Sequence, residues 1–260
     1  MNINWSKLSK NPHPKAIELL IKNKNKIDWY ELSKNTNENI YDLLNENKYK
    51  LDWNEICKNS SDVCARLILE NPVFLNFKTL VFNNNPKIMQ LFELSLDLDL
   101  YYWSYLCCNS NAIDFIIKHP NIIVWSSLSL NNSNKALELL NNNFNKINWS
   151  YLSANNNDNA IDLLIQNPMK IDWYYLSSNS NDRAIQLLID NQDKIDWFQL
   201  SGNNNDKAIE LLFNNPKLIN WFKLCSNNNP KIIEFLKKNK KKIDWDSLSS
   251  NPLLFMIIDN

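Results

Sequence analysis

The sequence contains one glycine, Gly202, and two histidines, His13 and His119, among 260 residues. A loop that cradles phosphate groups needs several glycines within a few positions, so a nucleotide site of that kind is excluded. Both histidines fall in predicted turns, and the acidic residues recur with a period instead of converging on a cleft. We therefore expect no catalytic residues, no metal and no cofactor, and we predict that the chain is not an enzyme.

Net charge and long apolar runs are also absent. The 28 basic side chains balance the 28 acidic ones, so the whole molecule is not drawn to nucleic acid or to an acidic membrane. No apolar run approaches the roughly 20 residues of a membrane span, and we expect no membrane partner. The five cysteines lack the spacing of a zinc site or a disulfide framework, which predicts small core residues in a reducing compartment.

What the chain does have is a 24-residue repeat in which each copy opens on an aromatic residue, counted here as position 0. All ten tryptophans and one phenylalanine occupy it: Trp5, Trp29, Trp53, Phe77, Trp103, Trp125, Trp149, Trp173, Trp197, Trp221 and Trp245. A fixed period of this length indicates a stacked array in which each repeat contacts its neighbours. The sequence predicts an all-α solenoid of about eleven helix-turn-helix repeats, forming a single domain over residues 1–260.

Each repeat predicts a short helix followed by a longer one. An Asp or Asn before the aromatic residue suits an N-cap, and positions 0, +3 and +4 share one helical face, as in Trp173, Leu176 and Ser177. Apolar residues at +11, +12, +14 and +15 have helical spacing, and Asn or Ser at +8 is a second N-cap. We therefore expect the indoles to lie in the interior, where Trp173→Ala would cost about 3–5 kcal/mol.

Position +6 is asparagine in every repeat, which makes it the strictest position in the chain. With glycine almost absent, asparagine is the residue best suited to a left-handed turn. The row is Asn11, Asn35, Asn59, Asn83, Asn109, Asn131, Asn155, Asn179, Asn203, Asn227 and Asn251. We interpret it as a structural ladder that caps the first helix and ties each turn to the neighbouring repeat. A row of amides that reads a ligand is the alternative.

The repeat is irregular in two places. The interval from Phe77 to Trp103 is two residues too long and the next is two too short, which predicts a bulged loop or a helix extension at the junction 91–103. A neutral insertion and deletion, or a contact point for a partner, would explain it. In the last repeat, 245–260, Phe255 and Ile258 occupy positions that are polar elsewhere, so this repeat is a candidate for self-association.

Two surfaces are candidates for partner contact. Basic residues at +10 and acids at +13 are expected to pair along the second helix, while lysines recur at +21 and cluster in 237–242. We interpret these rows as a solvated surface, with a polar partner surface and phosphate contact at the cluster as alternatives. The first helix carries aromatic residues at +1 and +2, which either pack between neighbouring helices or bind a partner. The predicted partner-binding residues are Tyr105, Tyr151, Tyr174, Tyr175, Phe198 and Phe222.

The consensus DW..LS.N...AI.LL..NP.KI resembles short Trp/Asn-rich helical repeat proteins of giant DNA viruses of the mimivirus type. The resemblance covers essentially the whole chain. The Asn-, Lys- and Ile-rich composition is typical of a protein encoded by an AT-rich genome. It implies an intracellular viral product of the host cytoplasm, with packaging into the virion as a further option. It implies nothing about activity, because such proteins are largely uncharacterised.

The function predicted from the array is a non-enzymatic scaffold for protein–protein interaction, with a host protein as one candidate partner. One alternative is a helical repeat that binds single-stranded nucleic acid, although the net charge of zero makes this partner less favoured. The other alternative is a structural component of the virion or of its assembly.

Overall fold

The computed structural model describes residues 3–94 and 99–258, apart from the side chains of Phe255 and Ile258. Within these residues the chain forms helices and turns and no β-strand, so the predicted all-α repeat solenoid is confirmed. The contacts divide the chain into two compact units, Met1–Leu128 and Ser129–Asn260. The prediction was one domain over the same residues, and the division falls inside the repeat that begins at Trp125.

The first unit alternates short and longer helices. Its α-helices are α1 (Trp5–Lys10), α2 (Pro14–Lys22), α3 (Trp29–Leu32), α4 (Tyr41–Glu46), α5 (Trp53–Lys58), α6 (Asp62–Glu70), α7 (Phe77–Leu80), α8 (Leu100–Cys108), α9 (Ile113–Lys118) and α10 (Trp125–Leu128). Its 3₁₀ helices are Lys24–Lys26, Glu38–Ile40, Lys48–Lys50, Pro72–Phe74, Pro86–Leu94, Ser110–Ala112 and Pro120–Ile122.

The second unit repeats the pattern with more regular spacing. Its α-helices are α11 (Asn134–Asn142), α12 (Trp149–Ser153), α13 (Asp158–Gln166), α14 (Trp173–Ser178), α15 (Asp182–Asp190), α16 (Trp197–Ser201), α17 (Asp206–Asn214), α18 (Trp221–Cys225), α19 (Ile232–Lys238), α20 (Trp245–Ser249) and α21 (Leu254–Ile258). Its 3₁₀ helices are Phe144–Lys146, Pro168–Lys170, Gln192–Lys194 and Lys240–Lys242.

The helix ends follow the predicted caps. The Asp172 side chain accepts a hydrogen bond from the backbone N–H of Tyr175 and begins α14. The Asn181 side chain accepts one from the N–H of Arg183 at 2.7 Å and begins α15. These bonds occupy backbone donors that would otherwise be left free in the first turn of each helix.

Stacking of repeats builds the core. In the second unit, successive short helices α12, α14, α16, α18 and α20 pack side by side, as do the longer helices α11, α13, α15 and α17. Between them lie fully buried side chains such as Leu176, Ala184, Ile185 and Leu188. Helices of four to nine residues are too short to be stable alone, so burial between repeats stabilises both layers.

The tryptophans predicted to lie in the interior are mostly, but not completely, buried. Among the described indoles only Trp103 is almost completely buried, at 5% exposure, and Trp245 is 49% exposed. Side chains at position 0 project back from the first residue of the short helix toward the preceding turn, where the Trp53 indole N–H donates to the Lys48 carbonyl at 2.9 Å. The remaining position-0 rings are mostly buried: Trp5, Trp29, Trp53, Phe77, Trp125, Trp149, Trp173, Trp197 and Trp221.

The irregular junction contains the predicted helix extension. Helix α8 begins at Leu100, three residues before Trp103, and the Asp99 side chain caps it by accepting from the N–H groups of Tyr101 and Tyr102. Residues 95–98 of the junction lie outside the described residues. So do the side chains of Phe255 and Ile258, on which the predicted self-association rests.

Candidate functional site

The asparagines at +6 form the predicted ladder between repeats. The Nδ2 of Asn179 donates to the carbonyl oxygens of Ser153 and Asn155, both at 2.9 Å, and its Oδ1 accepts from the N–H of Asn181 at 2.9 Å. The same pair of Nδ2 bonds is made by Asn35, Asn59, Asn83, Asn155, Asn203, Asn227 and Asn251. Both amide protons are used internally, so these side chains have no donor left to read a ligand.

The reason for asparagine at this position differs from the prediction. No described residue has a positive φ, and Asn179 is extended, with φ −72° and ψ 123°. Even Gly202 has a φ of −91°. Asparagine is needed because its amide reaches two carbonyls of the preceding repeat and one N–H of its own turn, not because it tolerates a left-handed backbone.

Two further positions, +8 and +4, also join the repeats. The sequence predicted position +8 only as an N-cap and position +4 only as an inward-facing residue. The Nδ2 of Asn181, at +8, donates to the Asn156 carbonyl at 2.9 Å and to Asp158 Oδ1 at 2.7 Å. The hydroxyl of Ser177, at +4, donates to the Trp173 carbonyl at 2.7 Å and accepts from the N–H of Asp196 at 3.0 Å. These polar positions therefore serve the stacking of repeats.

The charged rows pair between repeats, which corrects the expectation of pairs along one helix. Lys207 contacts Asp182 at 3.0 Å, and Lys231 contacts both Asp206, at 3.2 Å, and Glu210, at 3.0 Å. Each pair joins a basic residue at +10 to an acid at +9 or +13 of the preceding repeat. All these side chains are exposed, so the rows form a solvated surface with weak ion pairs.

Two acids of this surface, Asp182 and Asp206, have a pKa below the ordinary carboxyl value. Hydrogen bonds from the Asn205 amide and then from Lys207 lower the pKa of Asp182. The pKa of Asp206 is lowered in the same way by the next repeat. The carboxylates are therefore fixed in the charged form by donors from the neighbouring repeat.

The best candidate for partner contact is an aromatic row on the short helices of the second unit. It consists of Tyr174, Phe198 and Phe222, which are 50%, 43% and 55% exposed. They occupy position +1 of the successive helices α14, α16 and α18, which pack against one another. Rigid stacked helices therefore present three large rings to solvent along one face.

The two remaining predicted tyrosines of this unit have a different role. Tyr151 and Tyr175 are half-buried, and their rings meet edge to face with centroids 6.1 Å apart. This is packing between neighbouring short helices, the alternative that the sequence left open for this cluster. The Tyr174 ring contacts Tyr175 at 5.3 Å, and Lys223 lies 4.9 Å from the Phe198 centroid.

Tyr105 belongs to the first unit and lies in a separate aromatic cluster. It is 40% exposed and contacts Phe82 at 4.6 Å and Tyr101 at 5.1 Å between ring centroids. An open groove alongside α5 and α7 is lined by Phe82, Tyr101 and Tyr102. The sequence analysis missed these three residues, although the extended start of α8 was a signal for two of them.

The described residues contain no cluster of three or more His, Cys, Asp or Glu side chains that could hold a metal ion. Burial raises the pKa of both Cys64 and Cys107 to about 11, so these thiols stay protonated at neutral pH. Among the same residues no helix is long and apolar enough to cross a membrane.

Comparison with known proteins gives no assignment: no family model fits the chain, and neither a curated protein nor a solved structure matches it significantly. The resemblance to viral repeat proteins therefore stays a prediction.

Proposed function

We propose that the chain is a non-enzymatic repeat scaffold that binds a protein partner through the aromatic row Tyr174, Phe198 and Phe222. The observation that carries this proposal is the exposure of three large rings on adjacent, rigid short helices. Exposed aromatic side chains on a fixed backbone bind with little loss of conformational entropy, which is why such residues dominate protein interfaces.

The size of the row fits the centre of an ordinary interface. Each ring exposes roughly half of the 150–250 Å² that an aromatic side chain can bury, which gives about 300 Å² for the row. A standard interface buries about 800 Å² on each partner, so the row would supply the central anchors and the polar residues around it the rim. Lys223, beside Phe198, adds a cation that favours an acidic group on the partner.

The proposed partner is a host protein met in the host cytoplasm, because the repeat consensus resembles proteins of giant DNA viruses. This part of the proposal rests on the resemblance alone. The contact surface is independent of it and can be tested with lysate from any candidate host.

The test is affinity capture from host lysate with three immobilised forms of the protein. The variant Tyr174→Ala/Phe198→Ala/Phe222→Ala removes the row. The matched control Phe144→Ala/Met169→Ala/Leu218→Ala removes three exposed apolar side chains from turns of the same unit. We expect a specific protein to be captured by the wild type and the control, with recovery on the row variant at least tenfold lower. Equal capture by all three forms would rule out the row as the contact surface.

A further inference from the structure

The net charge of zero conceals a separation of charge in the second unit. The carboxyl ends of its longer helices and the turns that follow carry nine lysines and two aspartates, a net charge of +7. The rest of residues 129–260 carries five basic and twelve acidic side chains, a net charge of −7. We call the positive region the turn edge, and it comprises residues 141–147, 165–171, 189–195, 213–219 and 237–243.

The lysines of the turn edge are directed to solvent. Eight of the nine are exposed: Lys146, Lys170, Lys194, Lys217, Lys238, Lys240, Lys241 and Lys242. None of these eight makes an ion pair within the described part of the chain, whereas Lys237 contacts Glu234 at 3.5 Å. Lys194 and Lys242 lie over the rings of Trp173 and Trp221, at 4.9 and 5.2 Å from the centroids. Since none of the eight charges is neutralised by a carboxylate, they are available to an external anion.

Most acids nearest the turn edge are engaged in other bonds, whereas Asp193, directly before Lys194, is exposed. Asp172, Asp196 and Asp244, at the starts of the short helices, are half-buried and accept backbone N–H groups of their own helices. Asp190 accepts a hydrogen bond from Gln186 at 3.0 Å. These carboxylates lie beside the lysines but are held by the helices.

Apolar side chains project among these lysines. Met169 is 95% exposed at the tip of its turn, directly before Lys170. Leu218, Ile165 and Phe144 on the same edge are 47%, 47% and 43% exposed. Aliphatic tips gain little from a sugar–phosphate backbone, whereas they gain free energy when they leave water for the boundary between lipid headgroups and acyl chains.

We propose that the turn edge docks the protein peripherally on an anionic lipid surface. The unpaired lysines contact headgroup phosphates and carboxylates, and the tips Met169 and Leu218 enter the interface between headgroups and chains. This departs from the expectation of no membrane partner, which rested on the net charge of the whole chain and on the lack of an apolar run of membrane-span length. A membrane responds to the charge of the face it meets, because screening confines the interaction to about 10 Å.

The test is sedimentation of the full chain with lipid vesicles. We expect binding to phosphatidylcholine vesicles that contain about a third phosphatidylserine, no binding to pure phosphatidylcholine, and weaker binding as salt is added. The variant Lys238→Glu/Lys240→Glu/Lys241→Glu should lower the affinity about a hundredfold, since it reverses three charges near the surface. The control Lys7→Glu/Lys10→Glu/Lys15→Glu changes net charge equally at exposed lysines that are not part of the turn edge and should bind like the wild type.

A second variant tests the apolar tips without changing charge. Met169→Ser/Leu218→Ser should weaken vesicle binding about tenfold and should leave the far-ultraviolet circular dichroism spectrum unchanged, since both side chains lie on the surface. The proposal fails if phosphatidylserine does not increase vesicle binding by the wild type, or if the control loses as much affinity as the lysine variant. It also fails if the serine variant binds vesicles as well as the wild type. Binding of a single-stranded RNA oligonucleotide without vesicle binding would assign the edge to nucleic acid and also overturn it. The aromatic-row variant should bind vesicles normally, so this result is independent of the protein partner.

Discussion

Removing one buried asparagine of the ladder should destabilise the second unit more than a polar substitution on its surface. Asn179→Ala deletes two Nδ2 bonds to the carbonyls of Ser153 and Asn155 and one Oδ1 bond from the N–H of Asn181, at a side chain only 2% exposed. A buried hydrogen bond contributes about 1 kcal/mol net, and leaving its partner unpaired costs about 1–3 kcal/mol. We therefore expect a loss of about 3–5 kcal/mol in the free energy of unfolding.

The assay is urea unfolding followed by far-ultraviolet circular dichroism, with the loss taken from the shift in midpoint. Asn204→Ala is the control, because Asn204 is exposed and its side chain makes no hydrogen bond within the described residues. It should cost about 0.5 kcal/mol or less. Asn179→Asp keeps the shape of the side chain but places a carboxylate oxygen opposite two carbonyl oxygens. It should therefore lower the free energy of unfolding at least as much as Asn179→Ala. If Asn179→Ala and Asn204→Ala unfold at the same urea concentration, the ladder does not hold the repeats together.

Three other predictions follow from burial and titration. Trp173→Ala should cost about 2–4 kcal/mol in the same assay, because most but not all of the indole is removed from water; a loss below about 1 kcal/mol would contradict its burial. Folding lowers the pKa of Asp182 and Asp206, so their unfolded forms bind more protons in acid. Their contribution is present above the ordinary carboxyl pKa of about 4 and lost as the pH falls below it, so Asp182→Asn/Asp206→Asn should flatten the loss of stability in acid. A thiol reagent at pH 8 should label half-buried Cys108 before buried Cys64, whose pKa is raised to about 11, and equal rates would contradict the core placement.

The repeat period, the helices and their caps could be predicted from the sequence because each depends on residues within one repeat. Asp172 and Asn181 cap their helices whatever the placement of the neighbouring repeats, because their side chains accept hydrogen bonds from N–H groups two or three residues away. The irregularity before Trp103 could be located for the same reason, but the sequence left a bulged loop and a helix extension as alternatives, and the structure shows α8 beginning at Leu100.

The direction of contacts between repeats could not be predicted. Lys207 has an acid three residues later, Glu210, and yet its partner is Asp182 of the preceding repeat. The aromatic residues at +1 and +2 look equivalent in sequence, but Tyr174 is exposed while Tyr175 packs against Tyr151. A rotation of about 100° between adjacent residues on a helix decides this, and only the placement of the neighbouring helix shows which side is covered.

The sequence by itself determined the unit of this protein, its copy number and its hydrogen-bonding groups, because a period and a cap are local properties of the chain. Only the tertiary structure decided that most indoles keep a minor part of their surface in water, that the amides of the ladder donate to the preceding repeat, and that the zero net charge of residues 129–260 is divided into a +7 edge and a −7 remainder. Burial and surface charge depend on which groups share a face after stacking, and a linear count adds together charges that the folded chain keeps apart.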